Sequence, residues 1–153
     1  MDKYFLKKKN IMELIVKIFK EKKLSDKITS LTNFNYTIDF ILAYKTYPIN
    51  EDEQDIAWYA NHWHKDKPFT KNMLKVIIPL KNILSDDDGG IELINKENSK
   101  LFEKERFIDE TKIYKMKGET SSILLFHPNQ CFHRAGKLKI NNLPREQIMF
   151  QLN

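Results

Sequence analysis

The side chains of this chain that can do unusual chemistry fall into small groups. All four histidines lie in two clusters, His62 with His64 and His127 with His133. The first cluster includes the run His64-Lys65-Asp66. In an extended strand, residues i and i+2 project from the same face. One imidazole and one carboxylate can therefore meet at a common point. A second imidazole from a distant strand completes a set of two histidines and one carboxylate. Such a set leaves open positions on ferrous iron for oxygen and a co-substrate. Alone, His-x-Asp arises often by chance, and its plainest meaning is an ion pair at an exposed strand end.

His133 is the candidate third ligand, within Phe126-His127-Pro128-Asn129-Gln130-Cys131-Phe132-His133-Arg134. A lone histidine beside aromatics is ordinarily a packed core residue. Its weight comes from Arg145, at the start of the last apolar run. A turn between the two would set their strands side by side. A 2-oxoglutarate co-substrate chelates iron through its keto acid end, and its far carboxylate needs a fixed cation. The planar fork of arginine suits that task, because it binds carboxylate through two parallel bonds. Without such a partner, Arg145 reads as an ordinary surface residue.

The elements that must position these groups are legible in outline. Residues 11–23 form an amphipathic pattern, with Ile11, Leu14, Ile15 and Ile18 at helical spacing. Asn10 can cap its start, and Ser25 can cap a second short helix carrying Ile28 and Leu31. Short strands follow: Tyr36 to Tyr47, 56–64, 73–80, Ile91 to Ile94, Ser121 to Phe126, Gln130 to His133, and Arg145 to Leu152. Asp86-Asp87-Asp88-Gly89-Gly90 is a turn, while 95–117 is charged and weakly patterned. Two helices followed by short strands and turns predict a sandwich or barrel of jelly-roll type. The expected organisation is one domain, with a helical segment over 1–34 packed on a β-barrel over 35–153.

Composition narrows the class. A chain of 153 residues with 41% hydrophobic and 12% aromatic residues can bury a real core. No apolar run approaches the ~20 residues of a membrane helix, and the N-terminus lacks a signal-peptide pattern. A single cysteine, Cys131, excludes an internal disulfide and deprives a structural zinc site of its thiolates. These features predict a cytoplasmic protein. The net charge of +5 is concentrated toward the front, in Lys3, Lys7, Lys8, Lys9, Lys17, Lys20, Lys22 and Lys23. Such a patch is ordinarily a solvated face, and it can also meet nucleic acid.

The ordered set of motifs resembles the phytanoyl-CoA dioxygenase-like oxygenases. Trp63-His64-Lys65-Asp66-Lys67-Pro68 is followed by Leu74-Lys75-Val76-Ile77-Ile78-Pro79-Leu80 and by Gly89-Gly90-Ile91-Glu92-Leu93-Ile94. Phe126 and Phe132-His133-Arg134-Ala135-Gly136 resemble that family's distal histidine motif. The likeness spans about residues 36–152. It implies a double-stranded β-helix with a jelly-roll, cupin-like architecture. It further implies Fe(II) on His64, Asp66 and His133, 2-oxoglutarate on Arg145, and a co-substrate role for Lys75. The implied activity is hydroxylation of a small-molecule or conjugated substrate by molecular oxygen, with succinate and carbon dioxide as co-products. The chain departs from the pattern after the Gly-rich turn, where Asn95-Lys96-Glu97-Asn98-Ser99-Lys100 replaces a Gly-Ser-His segment. The chain is also short for this family, so the region that covers the active site is reduced.

The neighbouring residues have plainer readings. His62 shares parity with His64 and is either a group that orients a ligand or a surface residue. His127 reads as structural and Cys131 as a small buried residue. Trp58, Tyr59 and Trp63 suit a substrate mouth or a core. Two other functions compete with the oxygenase reading. One is a non-catalytic jelly-roll module that binds sugar or metal, and the other is a nucleic-acid-binding domain using the lysine-rich front.

Overall fold

The computed structural model describes residues 2–3, 13, 15, 17, 23–48, 59–68, 70–120, 122–139 and 141–153. Most of the predicted helix over 11–23, Trp58 and most of the N-terminal lysines lie outside these residues. Ile15, from that helix, is helical and buried.

Two antiparallel sheets make a jelly roll. The strands are β1 (Asp2–Lys3), β2 (Ile38–Thr46), β3 (Leu74–Pro79), β4 (Glu92–Ile94), β5 (Ile113–Lys115), β6 (Leu124–Phe126), β7 (His133–Arg134) and β8 (Arg145–Leu152). The larger sheet has the order β1-β2-β8-β3-β6, and the smaller has the order β5-β4-β7. Helix α1 (Leu24–Thr32) precedes β2, and α2 (Lys96–Glu105) connects β4 toward β5.

The last strand shows how the layers arise. Side chains alternate between the two faces of a strand. Ile148, Phe150 and Leu152 of β8 pack with Leu74, Val76 and Ile78 of β3 and with Leu24 and Ile28 of α1. Burying each such aliphatic side chain contributes roughly 1.5–3 kcal/mol. The opposite face of β8 carries Arg145, Gln147, Met149 and Gln151, in register with Thr46, Tyr44, Leu42 and Phe40 of β2. On the other side, Gln151 pairs with Lys75 and Met149 with Ile77. Met149 and Ile77 join Phe126, Ile83, Ile91, Met116 and Cys131 in a second apolar cluster. The inner face is thus apolar in its middle, with Lys75 and Gln151 on one side of that middle and Arg145 and Gln147 on the other.

Several local expectations give way to tertiary structure. Of the strand expected over 56–64, residues 56–58 lie outside the described residues, Tyr59–Asn61 form a 3-10 turn, and His64 joins the smaller sheet through a single bridge to His133. The expected strand from Gln130 to His133 shortens to β7, because a turn occupies 128–130. Ser25 does not cap α1. That helix starts after Lys23, whose backbone is left-handed, and no side chain caps it. The charged stretch after residue 95 contains α2, capped by the Asn95 side chain, which accepts from the Asn98 backbone N–H at 2.8 Å. Its sequence is rich in good helix formers but buries almost nothing, so it lacks the apolar stripe that marks a helix. Ser99 is its one fully buried position, and it ties α2 to the smaller sheet: its hydroxyl donates to the Ile94 carbonyl and accepts from the Phe132 backbone N–H at 2.9 Å.

Candidate metal centre

Backbone pairing builds the site. His64 and His133 exchange two backbone hydrogen bonds, of 3.1 and 3.0 Å. Directly opposed antiparallel residues place their side chains on one face. The two imidazoles accordingly lie side by side, with ring centroids 4.3 Å apart. Asp66, two residues on, donates its backbone N–H to the Pro128 carbonyl at 2.9 Å, which anchors its carboxylate beside the rings. Asp66 Oδ1 lies 3.7 Å from His64 Nε2 and 3.5 Å from His133 Nε2. The three ligand atoms all lie within 4.8 Å of one another.

The hydrogen bonds select the ring tautomers. His64 Nδ1 lies 2.8 Å from the His62 carbonyl, and His133 Nδ1 lies 3.1 Å from the Cys131 carbonyl. A carbonyl oxygen only accepts, so each Nδ1 carries the proton and donates. Both Nε2 lone pairs then face Asp66 Oδ1. This arrangement, with one ring nitrogen held by a backbone carbonyl and the other presented, is that of metal-bound histidine. Burial lowers the His64 pKa and keeps its ring neutral, as a ligand must be. Burial tends to raise the Asp66 pKa, but the ammonium of Lys75, bonded to Oδ2, outweighs it and holds the carboxyl well below its ordinary value. Two lone pairs and a carboxylate converging on one point repel unless a cation lies among them. Ligand atoms around an ion at 2.0–2.2 Å sit about 3 Å apart. The separations of 3.7 and 3.5 Å from Asp66 Oδ1 exceed that spacing by less than 1 Å, and two imidazole nitrogens with a carboxylate are the donors a divalent ion takes, so the residues present fit one.

Arg145 forms a second polar locus. It is 7% exposed. Its guanidinium donates to the Gly89 carbonyl and to Thr46 Oγ1, while its Nε has no hydrogen-bond partner. No ion pair joins it to a carboxylate among the described residues. Burial lowers its pKa, and the same burial raises that of Tyr44, whose hydroxyl accepts from Gln147 Nε2. A cleft of about 90 Å³ adjoins it, lined in part by Thr46, Asn61, Gly136 and Leu138. A buried guanidinium without an anion beside it is costly and invites one. Thr46, Tyr44 and Gln147 were not singled out from sequence. The available signal was the parity of Arg145, Gln147 and Gln151, three polar groups on one face of an otherwise apolar strand.

The remaining candidates separate clearly. Lys75 lies with the metal ligands: its Nζ is 2.5 Å from Asp66 Oδ2 and 3.4 Å from His133 Nε2. The His62 side chain is exposed, and its backbone carbonyl does the orienting. His127 ties the end of β6 to the residue before β3, donating from Nδ1 to the Met73 carbonyl at 3.0 Å. Cys131 is buried, and burial raises its thiol pKa. Trp63 packs edge-on against Phe102 of α2, with the Arg134 guanidinium 4.4 Å from its ring centre. Arg134 in turn pairs with Glu92 of β4 at 2.6 Å. Among the described residues, no helix is long and apolar enough to cross a membrane.

No family model matches the chain, and no curated protein matches it. Solved structures do. AviO1 from Streptomyces viridochromogenes Tue57 aligns with 84% of this chain at 11% identity and a TM-score of 0.57. EvdMO1 aligns with 84% at 14% identity and a TM-score of 0.57. HygX from Streptomyces hygroscopicus, in a structure with nickel and 2-oxoglutarate bound, aligns with 89% at 10% identity and a TM-score of 0.52. This chain shares their fold. It spans 56%, 30% and 66% of those three chains, less than two thirds of each. The resemblance to phytanoyl-CoA dioxygenase-like oxygenases rests on the motifs quoted above.

Proposed function

We propose that this chain is an iron(II)- and 2-oxoglutarate-dependent oxygenase of phytanoyl-CoA dioxygenase-like type, hydroxylating a small molecule. The observation that carries the proposal is the convergence of His64, Asp66 and His133, with both imidazoles in the ligand tautomer. Two histidines and a carboxylate on one side of an ion leave its other side open, as oxygenases of non-haem iron require. The shared fold with HygX, whose structure holds nickel and 2-oxoglutarate, supports the same reading. When bound, iron with 2-oxoglutarate and oxygen supplies the oxidation: the keto acid yields succinate and carbon dioxide, and one oxygen atom enters a substrate C–H bond.

The chain's own residues do the rest. His64 and His133 present neutral nitrogens, and Asp66 supplies the anion that makes the site selective for a dication. Arg145 fixes the far carboxylate of 2-oxoglutarate through its fork, with Thr46 and Tyr44 beside it. A reducing, cytoplasmic setting suits both ferrous iron and the single buried Cys131.

The test is succinate release from 2-oxoglutarate with ferrous iron, comparing the wild type with Asp66→Ala. The expected outcome is metal-dependent succinate in the wild type and loss of at least 100-fold in the variant. Metal-dependent turnover that survives Asp66→Ala would remove the triad from the chemistry.

A further inference from the structure

Lys75 is out of place on its own strand. The other residues of β3 are apolar, and all six positions are buried. A buried ammonium needs acceptors close by. Lys75 finds them in Asp66 Oδ2 at 2.5 Å and His133 Nε2 at 3.4 Å. Both belong to proposed ligands. Asp66 is therefore divided: Oδ1 faces the two imidazoles while Oδ2 faces the ammonium. His133 Nε2 is the lone pair a metal would use, because Nδ1–H is committed to the Cys131 carbonyl.

We propose that Lys75 is a built-in positioning cation that assembles the ligand cluster before metal arrives, confines Asp66 to one-oxygen coordination, and competes with the metal for His133. This rests on the metal reading above and deepens it. It also differs from the co-substrate role that the resemblance implies for Lys75. The physical reason is charge. Without a metal, the ammonium is the cation that lets two lone pairs and a carboxylate face one another. With a metal on Oδ1 and Nε2, the ammonium gives up Nε2 and keeps Oδ2. The pair of positive charges then repels, so preassembly comes at the expense of metal affinity.

The experiment uses Lys75→Met, Lys75→Arg, Asp66→Asn and the Lys75→Met/Asp66→Asn double variant of the full chain. Thermal unfolding is followed without metal. Ni²⁺ affinity is measured by titration, and the Co²⁺ form is examined by visible absorption. Lys75→Met should lower the metal-free midpoint. That loss should be small in the Asp66→Asn background and largely restored in Lys75→Arg. Ni²⁺ should bind Lys75→Met about tenfold more tightly than wild type. The Co²⁺ spectrum of Lys75→Met should change as Asp66 gains freedom to use both oxygens. A residue that merely fills space would leave the Co²⁺ spectrum and the coupling to Asp66 untouched.

An unchanged metal-free midpoint overturns the proposal. So does Ni²⁺ affinity that is equal or weaker in Lys75→Met, and so does a defect confined to 2-oxoglutarate binding. If neither the wild type nor Lys75→Met binds Ni²⁺ while the coupling to Asp66 persists, the oxygenase reading itself fails and Lys75–Asp66 is a plain ion pair.

Discussion

Arg145→Met removes a buried guanidinium and leaves an unbranched apolar stem. The ligand-free protein loses the bond to the Gly89 carbonyl and the longer one to Thr46 Oγ1. Hydrogen bonds from a charged group contribute roughly 1.5–3 kcal/mol each, and a stranded carbonyl costs about 1–3 kcal/mol. Against this stands the desolvation of the cation, several kcal/mol, which no carboxylate among the described residues offsets. Removing one member of a buried ion pair destabilises because a charge is left behind. Here no carboxylate is left behind. The opposing contributions are of similar size, so the expected net change lies within about 3 kcal/mol of zero. At roughly 2–4 °C per kcal/mol for a chain of this size, the ligand-free midpoint moves by no more than about 12 °C.

The bound state responds with a defined sign. Truncating one side of a buried charge pair costs about 2–5 kcal/mol, at least 30-fold in affinity. Wild type at 100 times its Kd for 2-oxoglutarate gains about 2.7 kcal/mol, or roughly 5–11 °C. At the same concentration the variant gains under about 1 kcal/mol. The assay is thermal unfolding with Ni²⁺ present, with and without 2-oxoglutarate. A variant that melts well below wild type and still responds fully to 2-oxoglutarate would show Arg145 to be structural and refute this reasoning.

Other outcomes follow from the same geometry. Ser99→Ala leaves the buried Phe132 N–H without its acceptor and should cost about 1–3 kcal/mol in urea unfolding, with weaker Ni²⁺ binding because β7 loses its tie to α2. A Cβ at Gly136 would overlap the Gly90 carbonyl, so Gly136→Ala should destabilise by at least about 1–3 kcal/mol, read as a lower melting midpoint. Asp88 accepts from the backbone N–H groups of Ser85 and Leu84 and from Asn142, and these bonds hold its pKa below the ordinary value. A depressed carboxyl pKa stabilises the fold above the unfolded value of about 3.9 and stops doing so as pH falls through the folded value. Asp88→Ala should therefore lower the midpoint at neutral pH, and the gap from wild type should narrow below about pH 4.

The strands that were readable in advance are those with strong local texture. β2 and β3 carry runs of β-branched and aromatic residues, and the predicted final strand coincides with β8. The jelly-roll class follows from their number and spacing. Helix α2 was not readable, because its propensity is high but its apolar stripe is missing. His64 was placed on a strand that the described residues do not form, yet its imidazole lies 3.7 Å from the Asp66 carboxylate. Residues 65–68 join no ladder, and the bond from the Asp66 backbone N–H to the Pro128 carbonyl holds the carboxylate in place instead.

Residue type and strand parity therefore made His64, Asp66, His133 and Arg145 candidates, since donor chemistry and parity are properties of short segments, while their roles came from the resemblance to phytanoyl-CoA dioxygenase-like oxygenases. They could not say that His133 lies opposite His64, that carbonyls from His62 and Cys131 choose the tautomers, or that Lys75 faces Asp66. Those relations depend on registers between segments far apart in the chain. Register is set by which apolar faces the whole fold must bury, and a one-residue slip would turn either imidazole to the opposite face.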